Sequence, residues 1–122
     1  MSAFTIPGRL DGLNEYTSAC RSSRYAGAEM KRKNQKICFR AIRRAEKLGK
    51  VSRPESFPVS VSVRWYEGNR RRDVDNITFA VKFILDAMVQ AGVLPDDSRE
   101  YVCSIQHQVL VDSSDPRIEV IF

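Results

Sequence analysis

Five aspartates and a run of arginines crowd the middle of the chain. The segment reads Arg70-Arg71-Arg72-Asp73-Val74-Asp75-Asn76, and Asp86, Asp96 and Asp97 follow. Two aspartates one residue apart at a strand–helix junction, joined by a third from Asp96-Asp97, would make an open set of hard oxygen ligands. Magnesium takes such ligands and keeps several positions for water and substrate phosphate. A cation held in this way polarises a phosphate, activates water and steadies a leaving oxygen, as phosphodiester hydrolysis requires. The arginines beside the aspartates would offset repulsion between carboxylate and phosphate and hold a strand in place.

Each part also has a plainer reading. An aspartate at a helix start commonly caps it, and Asp96-Asp97-Ser98 suits a turn. Lys82 and Asp86, four apart, would form a surface ion pair contributing about 0.5 kcal/mol. An arginine run is often a solvated loop that binds any polyanion.

The elements that would position these residues are legible from periodicity. Phe4 to Pro7 reads as a short strand, followed by a loop punctuated by Pro7-Gly8, Gly12 and Asn14. From about Gly27 to Leu48, Met30, Ile37, Cys38, Ala41, Ile42, Ala45 and Leu48 recur at helical spacing. The opposite side of that helix carries Arg32, Lys36, Arg40, Arg43, Lys47 and Lys50 as a cationic ridge, and Gly49 is placed to cap it. Pro58 to Trp65 alternates apolar and polar residues in strict period two, the signature of a strand.

A second helix is expected from about Val74 or Asp75 to Gln90, ended by Gly92 and Pro95. On a continuous helix, Asp75, Lys82 and Asp86 would lie within roughly 40° of one another, opposite the apolar face of Ile77, Ala80, Val81, Ile84 and Met88. Tyr101 to Val111 and Arg117 to Phe122 read as two last strands, expected to form a hairpin. The order β-α-β-α-β-β implies an α+β fold, a mixed sheet packed with two long helices in one domain spanning 1–122.

Charge divides along the chain. Residues 1–72 hold 17 lysines and arginines against 6 acidic residues, a net of +11, whereas residues 73–122 hold 3 against 9, a net of −6. A cationic body suits a nucleic acid, whose binding is largely phosphate neutralisation with counterion release. An acidic remainder is not needed for gripping DNA but is needed for holding a metal against it. Three cysteines without a CxxC pair argue against a disulfide framework. Cys103 and His107, the only histidine, would lie about 13 Å apart along a strand. That is too far for two zinc ligands with bonds of about 2 Å. No apolar run approaches the roughly 18 residues of a membrane span. With no secretory signal visible in Met1 to Gly8, a cytoplasmic protein is expected.

The stretch Arg70 to Ser98 resembles the signature of the RusA family of Holliday junction resolvases. Asp73-Val74-Asp75-Asn76 opens a helix behind an arginine-rich lead, and Lys82, Leu85-Asp86-Ala87, Ala91-Gly92 and Asp96-Asp97 follow. Pro7, Asn14, Tyr16, Tyr25 and the basic helix are similar to the family's N-terminal pattern. The resemblance implies a homodimeric endonuclease, frequently phage- or prophage-encoded, that cuts four-way DNA junctions symmetrically with Mg²⁺, for which Mn²⁺ can substitute.

It further implies that Asp73, Asp75 and Asp97 are the essential carboxylates and Asp96 a secondary one. The family's lysine falls at Phe79 when counted from Asp73-Val74-Asp75 and at Lys82 when counted back from Leu85-Asp86-Ala87. Three extra residues in the first half of the helix account for this, and Lys82 takes the role. Arg70, Arg71, Arg72, Arg32, Lys36, Arg40, Arg43 and Lys47 are the expected DNA contacts, with no organic cofactor and no membrane partner. Two other readings share these residues: a non-catalytic DNA-binding protein of the same fold, and a nuclease acting on other branched DNA. Tyr16 and Tyr25 would either stack on unpaired bases or pack locally.

Overall fold

The structure, a computed structural model, describes all residues Met1–Phe122. Strand β1 (Ala3–Pro7) leads into helix α1 (Leu13–Ser22) and the long helix α2 (Arg24–Lys47). Strand β2 (Val59–Glu67) is followed by the short helix α3 (Val74–Thr78), helix α4 (Val81–Gln90), and strands β3 (Val102–Val111) and β4 (Arg117–Ile121). The fold is α+β with a mixed four-stranded sheet in the order β1-β4-β2-β3.

Period-two alternation in β2 sends Val61, Val63 and Trp65 into the core at 0–1% exposure. Phe4 and Ile6 of β1 and Ile118 and Val120 of β4 join them on one face of the sheet. Helix α2 covers that face with Cys38, Ala41, Ile42 and Ala45, and α4 adds Phe83, Ile84, Ala87 and Met88. Gly49 (φ 71°) and Gly92 (φ 78°) turn the chain just beyond α2 and α4 in the left-handed conformation that glycine tolerates.

Three expectations from the sequence need correction. The last two strands form no hairpin. Strand β4 inserts antiparallel between β1 and β2, while β3 pairs parallel with β2 alone. Ile118 and Val120 are buried between β1 and β2, whereas β3, on the open edge, places the polar His107 at the position beside Val63.

Of the two long helices, only α2 is continuous. The second breaks at Phe79–Ala80, where the amides of Ala80, Lys82 and Phe83 bond to carbonyls three residues back rather than four. Phe79 there packs on Tyr16 (ring centroids 5.3 Å apart) and Phe83 (5.8 Å). Finally, the expected loop before α2 is largely helix α1, in which Leu13, Tyr16, Ala19 and Cys20 share one face although no residue is fully buried.

Candidate active site

The chain from Glu67 to Asn76 is fixed by an ion pair that the sheet itself presents. Glu67 follows Val61, Val63 and Trp65 on the inward phase of β2 and is 6% exposed. Arg72 meets its carboxylate side-on, Nε to Oε1 at 2.9 Å and Nη2 to Oε2 at 2.8 Å. The same guanidinium donates to the Leu10 carbonyl at 3.1 Å and reaches Glu15 at 3.5 Å. Planar bidentate pairing of this kind sets geometry as well as energy.

The start of α1 closes the arrangement from the other side. Asn14 N–H donates to Asn76 Oδ1 at 2.9 Å, and Gly12 N–H to Glu15 Oε1 at 3.2 Å. A Cβ at Gly12 would lie 2.6 Å from both the carbonyl and the Oδ1 of Asn76, so only glycine permits this approach. Asn76 of the Asp-x-Asp-Asn motif therefore ties α1 to α3. Beneath α1, Asp11 accepts from Asn34 (2.7 Å) and pairs with Lys33 (3.0 Å). Burial works against the Asp11 charge, but these contacts outweigh it and hold its pKa at about 2.

Asp73 and Asp75 stand on this scaffold with their oxygens free. Asp73 occupies the N-cap position of α3 in extended conformation but makes no side-chain cap hydrogen bond. Both aspartates are exposed, and neither enters an ion pair. As hard oxygen donors without protein partners they fit a divalent cation that keeps water and phosphate ligands. The structure does not gather Asp97 with them: no group of three or more His, Cys, Asp or Glu side chains is close enough to hold a metal ion.

Asp97 instead belongs to a network centred on Lys82. The Lys82 ammonium donates to Asp97 Oδ2 at 3.0 Å and lies 3.1 Å from Asp86 Oδ1. The hydrogen bond to Asp97, then that to Asp86, raises the Lys82 pKa, and the bond from Lys82 lowers that of Asp97. Asp86 is 17% exposed, and its Oδ2 is sealed from solvent without a hydrogen bond, with Lys31 Nζ 3.5 Å away. The i, i+4 pair expected on this helix thus forms. Asp75 lies across the helix break, and neither Lys82 nor Asp86 is among its ion-pair or hydrogen-bond partners. Asp96 is exposed beside Asp97.

The cationic residues divide into free and engaged ones. Arg70 and Arg71 are exposed without an ion pair, as are Lys36, Arg40 and Lys47 on α2. Arg32 pairs with Glu29 at 3.8 Å and Arg43 with Glu46 at 2.9 Å. Arg72, grouped with its neighbours by sequence, is only 11% exposed and is spent on Glu67. Tyr16 packs against Phe79 and Phe83, whereas Tyr25 is 66% exposed with Arg24 lying over its ring.

Sequence reasoning missed Glu15, Glu67 and Gly12 as the residues that position the aspartates. One signal was available: Glu67 is a charged residue on the apolar phase of an otherwise alternating strand. The cysteine–histidine pair has its own structural use for histidine, since buried Trp65 donates its indole N–H to His107 Nδ1 at 3.0 Å.

Free carboxylates at a helix start, exposed arginines beside them and a basic helix are the equipment of a nucleic-acid-cutting enzyme. Residues 36–121, more than two thirds of the chain, match the family model described as Endodeoxyribonuclease RusA. The chain belongs to the RusA endodeoxyribonuclease family. The match starts within α2 and contains every candidate site residue except Arg32, while Pro7, Asn14, Tyr16 and Tyr25 lie before it. No curated protein matches the chain. No helix is long and apolar enough to cross a membrane.

Proposed function

We propose that this protein resolves four-way DNA junctions by paired, symmetric phosphodiester hydrolysis that depends on a divalent cation. The observation that carries the chemistry is the pair of exposed, unpartnered carboxylates Asp73 and Asp75 on a rigidly tied loop beside the free Arg70 and Arg71. Asp73 and Asp75 would hold magnesium, or manganese in its place, with Asp97 joining them and Asp96 beside it. When bound, the cation supplies the Lewis acidity that polarises the phosphate and activates water.

The chain's own residues supply grip and placement. Arg70, Arg71 and the free cations of α2 neutralise phosphates, and Arg71 also lines a polar cleft with Arg9, Asn69 and Glu67. Lys82, whose ammonium already lies against Asp97, is placed to neutralise or orient the scissile phosphate once Asp97 turns to the cation. A junction with approximate two-fold symmetry needs two matched cuts, so a homodimer supplies one acidic site to each.

The test is incubation of purified protein with a mobile four-way junction, with and without Mg²⁺, beside flap and fork substrates. Symmetric paired nicks that require Mg²⁺ and disappear in Asp73→Asn, with junction binding kept, are expected. Preferential cutting of flaps or forks would reassign the substrate. Undiminished cleavage by Asp73→Asn would overturn the chemistry.

A further inference from the structure

Three loops meet beside the aspartates and enclose a cleft of about 490 Å³. Arg9, just after β1, stands on one wall, Asn69 and Arg71, after β2, on another, and Pro116, before β4, closes a third side. The walls are tied together. Gly8 donates its N–H to the Pro116 carbonyl at 2.9 Å, and the Pro116 ring packs beside Gly68. The buried Glu67–Arg72 pair lies beneath.

This cleft offers hydrogen-bond donors and leaves its side-chain acceptors already used. Both Glu67 oxygens are occupied by Arg72. Asn69 Oδ1 accepts the Arg71 N–H at 3.0 Å, which leaves Nδ2 as a donor without a protein partner. Arg71 is exposed and has no ion pair, and Arg9, 53% exposed, has only Glu15 at 3.6 Å. Three guanidiniums thus line the cleft against a single carboxylate that is already paired. Apart from the proline ring no apolar side chain lines it, so the ligand it fits is not apolar. A phosphate group matches it, being anionic and acceptor-only, with oxygens that the guanidinium fork meets in bidentate fashion.

We propose that the cleft is a second phosphate seat for the DNA strand, in which Arg9, Asn69 and Arg71 hold a phosphodiester one or two nucleotides from the one at Asp73 and Asp75. The seat rests on the nuclease reading above. It extends that reading to Asn69 and to Arg9, which precedes the residues that match the family.

Chain length sets the position of the seat. Arg71 and Asp73 are two residues apart, at most about 7 Å of backbone. Successive phosphates of one strand rise about 3.4 Å along a duplex. A strand whose scissile phosphate meets the aspartates therefore carries a neighbouring phosphate past Arg71. Because the Glu67–Arg72 pair holds this loop, a grip on the neighbour also places the scissile group.

Fluorescence anisotropy with a labelled four-way junction, in metal-free buffer over a KCl series, tests the seat by binding alone. Asn69→Asp keeps the acceptor for the Arg71 N–H but puts a negative charge where the Nδ2 donor stood. It is expected to raise Kd at least about tenfold. Arg9→Gln is expected to reduce the slope of log K against log[salt] by about 0.9, the loss of one phosphate contact. Arg53→Gln makes the same change of charge at an exposed arginine beside the start of β1, the far end of that strand from Gly8, and is expected to leave the slope unchanged. Urea midpoints from Trp65 fluorescence check that each variant is folded. Wild-type affinity in Asn69→Asp, or equal slopes for Arg9→Gln and Arg53→Gln, would overturn the seat and leave the nuclease reading standing. A wild type that binds no junction would overturn both. Micromolar binding of inorganic phosphate in calorimetry, lost in Asn69→Asp while junction affinity is kept, would replace the strand with free phosphate as the occupant.

Discussion

Removing the Glu67 carboxylate should unfasten the loop that carries the aspartates. In Glu67→Ala, Arg72 would keep only the Leu10 carbonyl and the more distant Glu15 for a guanidinium that is 11% exposed. Breaking a buried pair by deleting one partner costs roughly 3–5 kcal/mol, because a buried charge is left uncompensated. The surviving partners place the expected loss at the lower end, about 3 kcal/mol. With a urea m-value of about 2 kcal/mol/M for a domain of this size, the midpoint should fall by about 1.5 M.

Glu67→Gln keeps the shape and one acceptor oxygen, and should lose about 1–2 kcal/mol. Replacing both residues by leucine removes the buried charges together, so stability should recover most of the loss. Cleavage should not recover, since nothing then ties the loop to β2 and Leu10. The single tryptophan, Trp65, is 1% exposed and reports unfolding by fluorescence, with junction cleavage measured on the same preparations. A loss below about 1 kcal/mol in Glu67→Ala would show that the pair does not hold the fold.

Three further expectations concern separate parts of the molecule. Gly12→Ala should cost about 1–3 kcal/mol and impair cleavage, because its Cβ would meet Asn76 at 2.6 Å and Arg72 at 3.0 Å; full activity with wild-type stability would contradict that packing. Lys82→Met should lower the cleavage rate by about 10²-fold, the scale of losing one charge-stabilising donor, and should return the Asp97 pKa toward the ordinary carboxylate value. An unchanged single-turnover rate would remove Lys82 from the chemistry.

Burial lowers the His107 pKa below the ordinary 6.5, and the Trp65 N–H requires its Nδ1 unprotonated. The unfolded chain then takes up its proton first, so stability is full above about pH 6.5 and is lost as pH falls through that value toward the folded pKa. His107→Gln, which keeps an acceptor for Trp65, should flatten urea midpoints between about pH 5 and 7 at matched protein concentration. Identical slopes for variant and wild type would sink this account.

Much of this molecule is written in short-range pattern. Alternation in β2, the apolar stripe of α2, the aspartate pair at a helix start and the reversal of charge at residue 73 all involve neighbours at i+2, i+3 or i+4. Helical and strand geometry fix where those neighbours point before any tertiary contact forms. For the same reason, the Lys82–Asp86 pair on α4 followed from spacing alone.

The tertiary structure decided what those residues do. Arg72 sits in a run with Arg70 and Arg71, yet it turns inward because Glu67 and a carbonyl 62 residues away complete its hydrogen bonding. The helix expected to run unbroken from Asp75 to Gln90 breaks at Phe79–Ala80, where packing of Phe79 on Tyr16 accompanies a tighter turn. Strand β4 enters the sheet interior, where Ile118 and Val120 lie between Phe4 and Ile6 of β1 and Val63 and Trp65 of β2, a placement that no local pattern specifies. Spacing identified the aspartates as a chemical group. Their freedom from protein partners, and the engagement of Asp97 by Lys82, depend on residues brought together from distant parts of the chain, where sequence separation carries no geometric information.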